Sequence, residues 1–238
     1  MTKNFWKIVN HVIRESDILI EVLDARFPEL SRNEEIERKI AAAGKKLLLV
    51  INKADLSEHI HLPSAPYRRI IVSSRTRRGL TSLRILLKIE AKRLKKEQVT
   101  IGVLGYPNTG KSSLINALKG KHAAATSSRS GFTQSLWRVR MSQNISLFDT
   151  PGVFPFLEKD EVKHTLLGAR DPVRCEFPED AAQIVLDTFG NKIQASYGCA
   201  PDLETIAERL GKKKKGGIFD LKAAAIKILQ DWQRGKIG

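Results

Sequence analysis

The segment Gly105-Tyr106-Pro107-Asn108-Thr109-Gly110-Lys111-Ser112 constrains the fold of this chain more than any other feature. It matches the pattern G-x-x-x-x-G-K-[ST] and lies between the apolar run Val99 to Leu104, which predicts a strand, and a helical pattern over about 111–119. Glycines in such a loop let backbone amides curl around phosphate oxygens, and the helix N-terminus adds partial positive charge. The context predicts a phosphate-binding loop in an α/β domain.

The residues of this loop have separate predicted roles. Lys111 is placed to reach the β- and γ-phosphates of a nucleotide and is the candidate catalytic residue. The hydroxyl of Ser112 is the candidate Mg²⁺ ligand. The predicted nucleotide contacts from the loop are Asn108, Thr109, Gly110, Lys111, Ser112 and Ser113.

A second motif, Asp149-Thr150-Pro151-Gly152, follows the apolar run Ile145 to Phe148. An aspartate at a strand end after a phosphate loop is placed to hold the Mg²⁺ shell through water, and the amide of Gly152 is placed to meet a γ-phosphate. An ordinary Pro-Gly turn is the alternative interpretation of this motif taken alone.

A third motif, Asn52-Lys53-Ala54-Asp55, closes the apolar run Leu47 to Ile51. A carboxylate can accept hydrogen bonds from both N1–H and the exocyclic amine of guanine, a donor pair that adenine lacks, so Asp55 would select guanine. Lys53 can lie over the base and brace the loop. A charged turn at a strand end is the alternative for this motif in isolation, but beside the other two motifs it predicts a guanine-nucleotide site.

The order of the motifs is unusual, because Asn52–Asp55 and a serine loop at Ser73-Ser74 precede the phosphate loop. The set resembles the translation-factor class of P-loop GTPases, and the permuted order is closely similar to the circularly permuted GTPases of the YlqF/RbgA family of large-ribosomal-subunit assembly factors. The resemblance covers nearly the whole chain. Beyond the nucleotide motifs it includes Asp24-Ala25-Arg26-x-Pro28, Ser31-Arg32-Asn33, Gly131-Phe132-Thr133 and the ending Asp231 to Gly238.

The resemblance implies further site residues. Segment 131–133 would be switch I, with Thr133 binding GTP and Mg²⁺, and Ser73 and Ser74 would back the guanine base. Asn108 matches an asparagine that resembles a K⁺ ligand in related GTPases, with loop packing through its side chain as the alternative. Val153 stands where small GTPases usually carry a water-orienting glutamine.

The sequence has no Pro-Gly-His-Met segment of the kind that bacterial members carry near the N-terminus. Together with Val153, this predicts a non-bacterial-type member with a low intrinsic GTPase rate, stimulated by ribosomal RNA or subunit and by K⁺.

The predicted fold class is α/β, with a circularly permuted P-loop GTPase domain over residues 1–157 and a small all-α domain over 158–238. Continuous apolar runs predict a largely parallel sheet covered on both faces. Its six strands are expected near 18–23, 47–51, 70–72, 99–104, 136–140 and 145–148. The family resemblance implies that the helical C-terminal domain contacts ribosomal RNA.

Composition narrows the class of protein. The chain has 238 residues with a net charge of +15, no apolar run reaches 18 residues, and the first residues do not form a secretory leader, so neither a membrane-spanning nor a secreted protein is expected. Cys175 and Cys199 lack metal-ligand spacing and predict free thiols in a reducing compartment. We expect a cytoplasmic monomer.

The positive charge is concentrated, because residues 68–98 carry 11 basic and 2 acidic residues. This predicts a polyanionic partner, with a solvated basic surface as the alternative. Arg84, Lys88 and Lys92 recur at helical spacing and would share one face, opposite an apolar face drawn from Ile85, Leu86, Ile89 and Leu94. The predicted RNA contacts are Arg77, Arg78, Arg84, Lys88 and Lys92; lysine stems that cover an amphipathic surface helix are the alternative.

Together these features predict a GTP-binding and GTP-hydrolysing switch in the assembly of the large ribosomal subunit, with Mg²⁺ and K⁺ as cofactors. The expected partners are GTP or GDP, the large subunit and its RNA. An RNA-binding assembly scaffold that binds GTP with little turnover is the alternative. A GTPase that acts on tRNA or in translation would use the same nucleotide site.

Overall fold

Residues 2–119, 125–126, 137–152, 154–155, 158–214 and 216–237 are described by the computed structural model. The predicted switch I segment with Thr133, and Val153, lie outside the described residues. The chain divides into two compact units, Met1–Glu158 and Lys159–Gly238. Each unit is described by itself.

The first unit alternates strands and helices. Its helices are α1 (Thr2–Glu15), α2 (Glu34–Ala42), α3 (Leu80–Arg93) and α4 (Lys111–Leu118). Its strands are β1 (Ile18–Asp24), β2 (Lys46–Asn52), β3 (Arg68–Ile71), β4 (Val99–Leu104), β5 (Ala125–Thr126), β6 (Trp137–Ser142) and β7 (Ile145–Asp149).

The strands form one sheet in the order β3-β2-β1-β4-β7-β6-β5. In this order the first five strands, β3, β2, β1, β4 and β7, pair in parallel. Strands β6 and β5 continue the sheet with antiparallel pairing. The predicted α/β class and largely parallel sheet are confirmed. The two-residue strand β5 adds a seventh strand to the six expected, since a strand of that length has no hydrophobic period that a sequence could display.

Both faces of the sheet are covered, which explains the continuous apolar runs. Ile20 and Val22 of β1 pack on the side of α3 and α4 with Leu83 and Leu114. Leu19 and Leu23 of the same strand pack on the side of α1 and α2. Successive residues of a strand point to opposite faces, so a strand that is buried on both sides requires apolar residues throughout.

The connection from β1 to α2 is held by polar side chains in the interior. Asn33 caps α2, because its side chain accepts a hydrogen bond from the amide of Ile36, and its own amide donates to Oε1 of the buried Glu21 at 2.7 Å. Burial, and then the neighbouring Glu37, raises the pKa of Glu21 well above its usual value. Arg32 donates to both carboxylate oxygens of Glu37, at 2.8 and 2.9 Å.

The second unit is helical. Its helices are α5 (Glu161–Leu166), α6 (Pro178–Tyr197), α7 (Leu203–Arg209) and α8 (Leu221–Gln233). The indole of the buried Trp232 donates to the carbonyl of Leu166 at 2.9 Å, and the amide of Gln233 donates to the carbonyls of Thr165 and Arg170. The sequence near Asp231 therefore joins the end of α8 to the end of α5.

Helix α1 approaches the sheet over Gly102 of β4, and this close approach supplies a test of the packing. A Cβ added at Gly102 would lie 2.5 Å from Oγ of Ser16 and 2.7 Å from Cγ1 of Val12. We expect Gly102→Ala to lower the free energy of unfolding by roughly 1–3 kcal/mol, because an overpacked interior must shift. Chemical denaturation measures the change, and a stability equal to that of the wild type would contradict this packing.

Candidate nucleotide-binding site

The three nucleotide motifs predicted from the sequence lie at one edge of the sheet. They follow β2, β4 and β7, which stand in the order β2-β1-β4-β7 and run parallel. Since the carboxyl ends of parallel strands meet at the same edge, motifs that are far apart in the chain become neighbours there. Sheet topology compensates for the permuted motif order.

Two glycines of the phosphate loop are required by close approaches. Gly105 has a φ of +137°, and an added Cβ would lie 2.6 Å from the carbonyl oxygen of Val22. Gly110 has a φ of +93°, and its Cβ would lie 2.4 Å from Nδ2 of Asn52. Helix α4 begins directly after Gly110, so the loop wraps the N-terminus of a helix in the manner that binds phosphate.

The ammonium of Lys111 lies in the interior of the loop. The residue is 5% exposed, and its Nζ donates to the carbonyl of Tyr106, which also accepts from the hydroxyl of Thr109. Burial lowers the pKa of Lys111 to about 8, although the Asp149 carboxylate acts in the opposite direction. A buried cation of this kind is stabilised by an anion placed within the loop.

The oxygen donors for a magnesium ion are brought together. Oγ of Ser112 lies 3.3 Å from Oδ1 of Asp149, at the edge where α4 begins and β7 ends. Burial raises the pKa of Asp149, even though the bond from Ser112 and the charge of Lys111 lower it, so this carboxylate lacks the solvation it would have in water. A hydroxyl and a desolvated carboxylate fit a hard divalent cation that retains water ligands.

The Asp149 motif is packed tightly against the phosphate loop. A Cβ added at Gly152 would lie 2.4 Å from Cα of Pro107. The hydroxyl of the buried Thr150 donates to the carbonyl of Val103 in β4. The contact at Gly152 brings the backbone after β7 beside the loop, where the sequence places the γ-phosphate.

The side chain of Asn52 joins two loops of the site. Its Nδ2 donates to the carbonyl of Thr109 at 3.1 Å, and its Oδ1 accepts from the amide and the hydroxyl of Ser74, at 3.0 and 2.9 Å. Asn52 therefore connects the phosphate loop to the serine loop.

Asp55 and Ser73 are also brought together. The hydroxyl of Ser73 donates to Oδ1 of Asp55 at 2.5 Å, and the exposed Arg75 lies 3.8 Å from the other carboxylate oxygen. The amide of the buried Ala54 donates to the carbonyl of Val72. This hydrogen bond holds the loop of Asp55 next to the end of β3. Within the described residues, Oδ2 of Asp55 accepts no hydrogen bond and has no ion pair shorter than that with Arg75.

Sequence reasoning assigns Asp24 no site role, yet it reaches the same loop. The ammonium of Lys53 donates to Oδ2 of Asp24 at 2.8 Å. The available signal was the position of Asp24 at the end of a buried strand, within the sequence Asp24-Ala25-Arg26.

Asn108 lies within the phosphate loop, and Ser113 lies in the first turn of the helix that follows it. Asn108 is exposed and has a φ of +61°, a left-handed conformation that asparagine tolerates better than most residues. Ser113 is exposed beside Ser112 in the first turn of α4.

The predicted RNA contacts are not equivalent in the structure. Arg77, Arg78, Lys88 and Lys92 are exposed, but the guanidinium of Arg84 donates to the carbonyls of Ala117 and Lys119 at the end of α4. Carbonyls at a helix C-terminus lack partners within the helix, so Arg84 has a capping role between α3 and α4.

The apolar face of α3 differs from the expectation. Leu80, Leu83 and Leu87 are buried, whereas Ile85 is 53% and Ile89 46% exposed, on the face that carries Lys88 and Lys92. Of the four residues from which the opposite face was drawn, Leu86 is buried as predicted, whereas the prediction was wrong for Ile85 and Ile89, because the buried stripe consists of leucines.

Three further features concern other classes of site. In the described part of the chain, no helix is both long and apolar enough to cross a membrane. Within those same residues, His, Cys, Asp and Glu form no cluster of three that could hold a metal ion. Both cysteines are free thiols.

The buried position of Lys111 generates a prediction about the nucleotide-free protein. We expect Lys111→Met to abolish nucleotide binding and yet to raise the free energy of unfolding by roughly 1–3 kcal/mol at pH 7, because an apolar side chain removes a desolvated charge. Chemical denaturation without nucleotide or Mg²⁺ measures this, with the exposed Lys119→Met at the end of the same helix as the matched control. A variant less stable than the wild type would contradict the prediction.

Comparison with known proteins agrees with this geometry. The model of the 50S ribosome-binding GTPase family matches residues 100–218. GTP-binding protein MJ1464 of Methanocaldococcus jannaschii is 40% identical over 246 residues, which cover 97% of this chain and 65% of that protein. GTPase grn1 of Schizosaccharomyces pombe is 32% identical over 286 residues, which cover 99% of this chain and 61% of that protein. The chain thus spans less than two thirds of the length of either relative.

The fold is similar to that of YlqF from T. maritima in its GNP-bound crystal structure. The TM-score is 0.60 at 21% identity, and the match covers 98% of this chain and 94% of that one. This likeness establishes the arrangement of the strands and helices. The chain belongs to the 50S ribosome-binding GTPase family, and it has the circularly permuted fold of YlqF.

Proposed function

We propose that this protein is a GTP-hydrolysing assembly factor that acts as a switch on the large ribosomal subunit. The observation that carries the proposal is the joining of the phosphate loop and the serine loop by Asn52, at the same edge of the sheet as Asp55 and Asp149. A site with these parts fits one guanine nucleotide from base to γ-phosphate. The family, described by its binding to the 50S ribosome, supports the large subunit as partner.

Selection of guanine is assigned to Asp55. Ser73 donates to one carboxylate oxygen and so orients the group. A carboxylate oriented in this way can accept both donors of the Watson–Crick edge of guanine, whereas adenine would leave it unpaired at the cost of its desolvation. Ser74 and Ala54 complete the loop around the base.

Hydrolysis transfers the γ-phosphoryl group to water and yields GDP and phosphate, and it depends mainly on positioned charge. Lys111 would hold the β- and γ-phosphates, with amides from the loop and from Gly152 beside it. Mg²⁺ would be held by Ser112, Thr133 and, through water, Asp149. When bound, it would neutralise the charge that develops on the phosphate oxygens.

A low intrinsic rate and a K⁺ requirement complete the enzymatic proposal. Val153 cannot donate or accept a hydrogen bond through its side chain, so it cannot orient the attacking water as glutamine does. Asn108 is assigned as a K⁺ ligand; its exposed position in the loop supports this. A cation there would place positive charge beside the β–γ bridge.

The switch is assigned to segment 120–158, which leads directly into the second unit in the chain. A γ-phosphate-dependent rearrangement of that segment would act on the second unit without an intervening domain. Small-angle scattering with GDP and with a non-hydrolysable GTP analogue tests this assignment, and identical profiles would contradict it.

RNA contact is proposed for both units. The exposed Arg77, Arg78, Lys88 and Lys92 supply charge in the first unit, while Arg84 contributes to the same positive field from its capping position. The second unit is the domain that the family resemblance connects with ribosomal RNA. A cytoplasmic location and a monomeric state stay predictions.

Phosphate release tests the enzymatic proposal. We expect slow release by the protein alone, and a rate at least ten-fold higher when purified large ribosomal subunits are added in KCl. The stimulated rate should fall several-fold in NaCl at equal ionic strength, because Na⁺ fits the Asn108 position less well.

The controls separate the alternatives. Lys111→Met should release no phosphate under any condition. Binding of GTP and of large subunits without stimulated release would favour the scaffold function over the enzymatic one. Equal rates in KCl and NaCl would overturn the K⁺ assignment alone.

Reversal of charge on α3 tests the RNA surface. We expect Lys88→Glu with Lys92→Glu to weaken binding to ribosomal RNA and to reduce the slope of log K against log [salt] by about 2, since each phosphate contact contributes about one to the slope.

A charge-matched control distinguishes contact from net charge. Lys7 of α1 and Arg38 of α2 are also exposed, but they lie on the opposite side of the sheet from α3. Lys7→Glu with Arg38→Glu should leave the slope nearly unchanged. Equal effects of the two double variants would contradict an RNA contact through α3.

A further inference from the structure

A buried cluster of three charges lies at the end of the central strand β1. Arg26 donates to both oxygens of Asp24, from Nε at 3.0 Å and from Nη2 at 2.7 Å, and Nζ of Lys53 donates to Oδ2 of Asp24 at 2.8 Å. The side chains of Asp24 and Arg26 are 1% and 2% exposed, and that of Lys53 is 22% exposed. Lys53 is therefore the member of the cluster nearest to solvent and to the nucleotide site.

The position of Asp24 follows from the sheet. Strand β1 lies between β2, which ends at the Asn52 motif, and β4, which ends at the phosphate loop. Asp24 pairs in register with Asn52, and the amide of Ala25 donates to the carbonyl of Asn52 at 2.8 Å. Residues 24–26 are thus joined to the loop Asn52–Asp55 by a backbone hydrogen bond as well as by a side-chain one.

Lys53 needs such support, because its backbone is strained. Its φ of +65° and ψ of +32° are left-handed, a conformation that disfavours residues with a Cβ. The loop therefore turns at a residue whose conformation must be held by its surroundings. The hydrogen bond from Lys53 to Asp24 supplies part of this support, since it fixes the ammonium end of the Lys53 side chain.

The charges in the cluster are unequal, with one anion and two cations. Burial raises the pKa of Asp24, but Arg26 and then Lys53 outweigh that effect and hold it well below its usual value. Burial lowers the pKa of Lys53, and the Arg26 cation adds to this, while Asp24 offsets part of it. Asp24 is thus the group that keeps the partly buried ammonium of Lys53 beside the guanidinium of Arg26.

We propose that Asp24, oriented by the two-pronged bond from Arg26, is a positioning residue for nucleotide affinity and acts through Lys53. This inference rests on the proposed function, because it assumes that the Lys53 loop holds guanine. With Asp24 in place, the Lys53 stem is fixed where the sequence places it, along the base. Without that carboxylate, two cations face each other and Lys53 is driven toward solvent.

A positioning role differs from a purely structural one in how substitutions combine. Asp24→Asn keeps the volume but removes the anion, and Lys53→Met removes the ammonium while leaving the Asp24–Arg26 pair intact. If Asp24 acts through Lys53, removing the carboxylate costs little once the ammonium has gone. If Asp24 only supports the fold, its effect is the same in both backgrounds.

The experiment is a double-mutant cycle on the affinity for fluorescent GDP and GTP, with the full chain and saturating Mg²⁺. We expect Asp24→Asn to weaken both nucleotides equally, by about 10- to 100-fold, with kcat at saturating GTP within two-fold of the wild type. In the Lys53→Met background the same substitution should change affinity by less than about three-fold. Arg26→Met should weaken binding by a smaller factor and should also lose its effect in that background.

Glu37→Gln is the matched control, because it breaks the comparably buried Arg32–Glu37 pair without contact to Lys53. It should leave nucleotide affinity unchanged. Effects of Asp24→Asn that multiply with those of Lys53→Met, or that equal those of Glu37→Gln, would overturn the inference. Arg26→Met decides the matter in the same cycle if Asp24→Asn does not fold. A wild type that binds neither nucleotide would instead refute the proposed function.

Discussion

The nucleotide site depends on one amide side chain, that of Asn52, which is bonded to a loop on each side. Its donor meets the carbonyl of Thr109 in the phosphate loop, and its acceptor meets Ser74 in the serine loop. These two loops follow different strands, and only the lateral order of the sheet makes them reachable from one residue. Gly110 has no room for a side chain because Asn52 fills that space. The serine loop and the phosphate loop are therefore joined through a single side chain.

The second general feature is a pair of desolvated lysine side chains. Lys53 and Lys111 are both desolvated, burial lowers the pKa of each, and the charge of Lys53 lowers the pKa of Lys111 further. The Asp24 carboxylate offsets part of this effect at Lys53, and the Asp149 carboxylate offsets part of it at Lys111. Under the proposed function, the phosphate groups of a nucleotide would add negative charge beside Lys111, and their binding to the folded state would stabilise the fold. Nucleotide affinity and the stability of the fold would then be linked through the Lys111 ammonium.

Much of this arrangement was predictable from the sequence, and the limits have physical causes. Strands such as Leu47–Ile51 are recognisable in the sequence because burial on both faces requires apolar residues throughout. The three nucleotide motifs are recognisable by their residue types and spacing. Strand β5 and helix α5 carry too few residues to show a period. The exposure of Ile85 and Ile89 depends on which stripe of α3 packs against the sheet, and the capping role of Arg84 depends on where α4 ends. Contacts across the sheet, such as that of Asp24 with Lys53, belong to tertiary structure.

The central position of β1 also affects how the chain folds during its synthesis. Because synthesis proceeds from the N-terminus, the loop Asn52–Asp55 and its strands emerge before the phosphate loop exists. Strand β1 pairs with β2, about thirty residues later, but its other edge remains bare until β4 has been synthesised. An unpaired apolar strand edge invites association with other chains. The permuted order thus leaves one edge of a central strand unpaired until synthesis reaches Val99, where β4 begins.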